Sequence, residues 1–88
     1  MHKWTDEECE IVCSIFKEEF VDSYNSIGTV VSKIKNRCTL LNEGSIRMKI
    51  SNTVYICNEL GIKHNCNIAS LSNYSQQHRE AFRVIFGV

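Results

Sequence analysis

The stretch Trp4-Thr5-Asp6-Glu7-Glu8-Cys9-Glu10-Ile11-Val12-Cys13-Ser14-Ile15-Phe16-Lys17-Glu18-Glu19-Phe20 decides how this chain folds. Thr5 and Glu8 stand three apart, the spacing of a capping box in which each side chain accepts a free backbone N–H of the first turn. Asp6, Glu7 and Glu8 add negative charge at the positive end of the helix dipole. Cys9, Val12, Cys13, Phe16 and Phe20 recur at three- and four-residue spacing and form one apolar stripe. A helix is therefore expected from Asp6 to Phe20, with Trp4 placed as a hydrophobic staple packing on the core.

Beyond it, Val21 to Ser26 is rich in turn formers and Gly28 adds a breaker. Thr29 is the expected cap of a second helix that turns Val30, Val31, Ile34 and Cys38 inward and Lys33, Lys35 and Arg37 outward. Thr39 to Asn42 reads as a short turn, with Leu40 and Leu41 filling the core. A third helix should start on Asn42 or Ser45, bury Ile46, Ile50, Val54 or Thr53, Cys57 and Leu60, and stop at Gly61. Ile62 to Tyr74 reads as a polar loop, unusually long for a small domain. Ser75 then caps a last helix whose His78, Phe82, Ile85 and Phe86 share a face. The expectation is an all-α, four-helix domain with a helix-turn-helix-like core, spanning residues 1–88 as one unit.

Composition bounds the rest. With 88 residues, 43% hydrophobic and 23% charged, the chain has the balance of an ordinary globular domain. No apolar run approaches the ~18 residues of a membrane span, and no secretory signal is read, so a cytoplasmic location and no membrane partner are expected. Five cysteines without such a signal are expected to be free thiols.

The ten basic and ten acidic residues cancel, but not locally. Residues 1–22 hold seven acids and two bases; residues 33–49 hold five bases and one acid. A basic pair of helices joined by a short turn is the arrangement in which one helix enters the major groove and its neighbour meets phosphates. The candidate nucleic-acid-binding residues are Lys33, Lys35, Arg37, Ser45, Arg47, Lys49 and Asn52. Arg47 is the choice for a two-bond contact to guanine, and Asn52 for adenine unless it bonds within the fold. The bland reading is that a basic helix face is simply solvated. An alternative function is a protein-interaction module using the acidic first helix, with a protein partner or a homodimer.

Lys3-Trp4-Thr5-Asp6-Glu7-Glu8 resembles the start of Myb/SANT-type domains. Together with Gly44-Ser45-Ile46-Arg47-Met48-Lys49-Ile50-Ser51-Asn52 it is similar to a small helical domain found ahead of HNH nucleases in bacterial restriction-type proteins. Members carry an S-[IV]-x-M-[KR]-[IL]-x-N helix and end on a short amphipathic helix, as Tyr74 to Phe86 does here. The resemblance implies a regulator or targeting domain that binds double-stranded DNA through the Ser45–Asn52 segment. The chain departs from the pattern in having Asn42-Glu43-Gly44 where members often place Pro and Ser, and it lacks the nuclease portion.

No enzyme activity, metal or cofactor is expected. Cys57, His64, Cys66 and His78 are ligand types, but none forms the close C-x₂-C pair of a structural zinc site. Cys9 and Cys13 share a helix face that is also the core stripe. Gly-rich phosphate loops, H-E-x-x-H arrays and G-x-S-x-G elbows are missing from the sequence.

Overall fold

Each helix begins on a side chain that the local sequence supplies. In the computed structural model, which describes residues 2–88, helix α1 spans Asp6–Phe16, α2 Ile27–Arg37, α3 Glu43–Leu60 and α4 Gln76–Phe86. Thr5 Oγ1 accepts the Glu8 N–H at 3.1 Å and Glu8 accepts the Thr5 N–H at 2.9 Å, completing the capping box. Asn42 accepts the Ser45 N–H at 2.8 Å and Ser75 the His78 N–H at 3.1 Å. The second helix is capped by Ser26 rather than Thr29, since Ser26 Oγ accepts the Thr29 N–H at 3.2 Å. Such caps contribute about 1 kcal/mol each. The all-α expectation holds, with no strand among the described residues.

The first helix does not stay α-helical to Phe20. Lys17–Val21 widens into a π-helical turn closed by the Asp22 N–H on Lys17 O at 2.9 Å. The wider turn buries Glu19 as well as Phe20, and Phe20 meets Phe16 edge-on at 5.1 Å between ring centroids. Periodicity of 3.6 residues accounts for the apolar stripe but not for a buried carboxylate, and that carboxylate is where the sequence pattern failed.

One hydrophobic core joins all four helices, centred on Val12, Phe16, Ile34, Ile46, Ile50, Ile56 and Phe82. α1 packs most extensively on α4, while α2 and α3 lie against α1 and each other. Leu41 plugs the core from the α2–α3 turn, but Leu40 points to solvent with 71% of its surface exposed. Leu60 is likewise outside, at 43%. Adjacent turn residues cannot both face one core, and Leu41 takes the inward place. Trp4 packs on the core margin, as expected of a staple.

Gly61 ends α3 in the left-handed region at φ 71°, where a Cβ would be strained. Its N–H reaches Asn58 O at 3.3 Å and the Ile62 N–H reaches Cys57 O at 2.8 Å, the paired closure of a Schellman motif. The loop that follows is tied down at both flanks. Asn65 bonds the π turn, its N–H reaching Phe20 O at 2.8 Å and its amide reaching Ser23 O at 2.8 Å. Leu71 bonds α3 through its N–H on Ser51 O at 3.1 Å.

Candidate nucleic-acid interface

The α2–α3 unit carries the seven residues proposed from sequence, and the fold treats them unequally. Lys33 donates to Glu19, an ion pair that holds the lysine proton more tightly and draws the carboxyl below its usual range. Because Glu19 is buried, moving Lys33 away would strand a carboxylate in the core margin. Lys35 donates to the carbonyls of Thr39 and Leu41 and so braces the turn. An ammonium has three protons, so one remains for a further acceptor. Arg37 is exposed on the last turn of α2. It lies beside Glu7 and Glu10 of α1, where the basic and acidic faces meet.

On α3, Ser45 is half-buried and its N–H is held by the Asn42 cap. Arg47 forms an ion pair with Glu43 one turn back, at 3.1 Å. Lys49 is drawn across the Trp4 ring at 5.0 Å and reaches Ser75 Oγ at 3.4 Å. Asn52 is corrected outright: it is 4% exposed, and its amide donates to Leu71 O at 2.8 Å. It anchors the loop, and its burial keeps its amide from the reach of a base. The five turns of α3 thus divide in two. The second half is covered by the loop, with Tyr74 beside Tyr55 at 6.1 Å and Asn52 bonded to Leu71. In the first two turns Gly44 and Met48 are exposed, while Arg47 is half-exposed and lines a depression of about 210 Å³ with Tyr24, Asn25 and the loop residues Asn65, Asn67 and Ile68.

His78, expected on one face of the last helix with Phe82, Ile85 and Phe86, is fully buried. Its Nε2 lies 2.8 Å from Thr53 Oγ1 and 3.8 Å from Cys13 Sγ. Thr53 gives its own proton to Lys49 O at 2.8 Å, so His78 Nε2–H must donate to the hydroxyl oxygen. Nδ1 is then a bare acceptor, and it has no hydrogen-bond partner. Burial, with the Lys49 charge assisting, pushes the imidazole pKa down to about 3. Burial likewise pushes the Cys13 thiol far up. Both partners are held neutral, the reverse of an activated thiolate–imidazolium pair. The sequence signal for this cluster is the place of His78 on the face of Phe82, while its partners Thr53 and Cys13 lie 25 and 65 residues away.

His64 is a loop organiser. Its Nδ1 accepts the Cys66 N–H at 3.2 Å, so its Nε2–H donates to Asn58 Oδ1 at 2.9 Å. Both nitrogens are committed. All five cysteines are buried free thiols, and burial raises Cys57 to about 12. Among the described residues no three histidines, cysteines or carboxylates are grouped to hold a metal ion. No helix there is long and apolar enough to cross a membrane. No family model, curated protein or solved structure matches the chain.

Proposed function

We propose that this chain is a duplex-DNA-binding domain, non-catalytic by itself, that places the first two turns of α3 in the major groove. The observation that carries the reading is the division of α3. The loop covers the helix beyond Ser51 and leaves Gly44 and Met48 open at its N-terminal end, with Arg47 half-exposed at the rim of the depression it shares with the loop. In a helix-turn-helix unit it is the N-terminal residues of the second helix that meet base edges, while the first helix runs along the backbone.

Magnitudes favour the exchange at Arg47. An exposed pair such as Arg47–Glu43 is worth only about 0.3–0.5 kcal/mol, whereas a two-bond arginine–guanine contact discriminates by roughly 1–3 kcal/mol. Lys35, with one proton spare, and Arg37 then serve phosphates. Lys33, Lys49 and Asn52 leave the footprint, because each already holds part of the fold. The contact surface is narrower than the charge count suggested, and recognition rather than cleavage is its task.

Fluorescence anisotropy with mixed duplex DNA tests this. Two phosphate contacts give a slope of log K against log salt near −2, from roughly −0.9 per phosphate. Arg47→Ala should flatten preference among sequences more than it weakens binding overall. Absence of saturable binding at low salt would end the proposal.

A further inference from the structure

Away from the DNA-reading face, three shallow depressions follow one another down the solvent side of α1. The first, about 240 Å³, lies between the start of α1 and α4, from Asp6 to Val84. The second, also about 240 Å³, shares Glu10 with it and lies between α1 and the end of α2. The third, about 350 Å³, shares Ser14 and Ile85 with the second and continues to Glu18 and Asp22. Together they make one groove. At the α-helical rise, the run from Asp6 to Asp22 corresponds to roughly 24 Å, the length of about four helical turns.

Its lining is mainly acidic along that length, since Lys17 in the third depression is neutralised by its ion pair with Asp22. Glu7, Glu10 and Glu18 line it and form no ion pair among the described residues. α4 supplies the apolar side: Val84 is 55% exposed and Ile85 is half-buried on the core. Acids spaced one and two helical turns apart beside an apolar strip complement a helix with bases on one side and aliphatic residues on the other. We infer that the groove along α1 and α4 docks a basic amphipathic helix of a partner protein, as a second function beside DNA binding. Arg37 stands at mid-groove between Glu7 and Glu10, so the partner carries a neutral or acidic residue there. A second copy of this chain fits poorly, because its Lys33 is paired with Glu19 and its Lys49 is held between Trp4 and Ser75.

The test is a titration of the full chain with a labelled, helix-favouring peptide of about four turns, lysine on one face and leucine on the other. Saturable binding should weaken at least tenfold in a Glu10→Lys, Glu18→Lys double variant, with circular dichroism checking the fold. Val84→Asp should weaken it by a similar factor through the apolar side. Equal binding by wild type and both variants, no binding, or equal affinity for a peptide with glutamate replacing lysine would overturn the inference. So would a dimer in sedimentation that Val84→Asp abolishes, because the groove would then belong to a second copy.

Discussion

The acidic side of the molecule and its basic side differ in what the fold has done with their charges. On α1 and the π turn that follows it, Glu7 and Glu18 are exposed and Glu10 half-exposed, all without an ion-pair partner among the described residues. On α2 and α3, Lys33, Lys35, Arg47 and Lys49 each reach an acceptor within the fold, and only Arg37 stands apart. A count of charges treats the two sides as mirror images. Their availability is not symmetrical, and a partner meets free carboxylates on one side and a few re-assignable cations on the other.

The joint between the sides is where the comparison breaks hardest. His78 of α4 bonds Thr53 of α3 beside Cys13 of α1, and its imidazole is held neutral down to about pH 3. The unfolded chain takes up a proton near pH 6.5 that the folded chain refuses. Stability is therefore full above that value and falls by up to about 1.4 kcal/mol per pH unit as pH drops toward 3. His64, lowered by burial, adds a smaller share in the same direction. Urea unfolding at pH 7.5 and 5 should record the loss, and His78→Leu should flatten it whatever that variant costs at neutral pH. A wild-type midpoint that does not move over this range would contradict the burial of the ring.

Next in size is the loop cover of α3. Asn52→Ala leaves Leu71 O without its partner and should cost about 1–3 kcal/mol. Hydrogen exchange at Leu71 should speed up, while DNA affinity at temperatures where the variant is folded should hold. A loss of base preference instead would return Asn52 to the interface. Smallest is Glu43→Gln, which frees Arg47 and removes a carboxylate from beside the phosphates. It should cost about 0.3–0.5 kcal/mol of stability and tighten DNA binding severalfold. Weaker binding by this variant would mean that Glu43 positions Arg47 rather than restraining it.

Much of the architecture was legible because local rules and tertiary packing agree in this chain. Thr5 with Glu8, Ser75, Gly61 and the apolar spacing on each helix announced the elements. What could not be read depended on partners distant in sequence. Glu19 is buried because Lys33 reaches it, and Asn52 because Leu71 folds back on it. His78 is buried because Thr53, 25 residues earlier, accepts its proton. The same holds for the candidate site: the basic cluster was visible as composition, but which of its members are already engaged is a tertiary property.

The most direct test of the central claim is a chemical-shift map of the labelled chain against short duplex DNA. The account predicts perturbations concentrated on Gly44, Arg47, Met48 and the turn at Thr39–Leu41, with the amides of Glu7, Glu10 and Glu18 unmoved. Shifts confined to the α1 face, or none at saturating DNA, would contradict it.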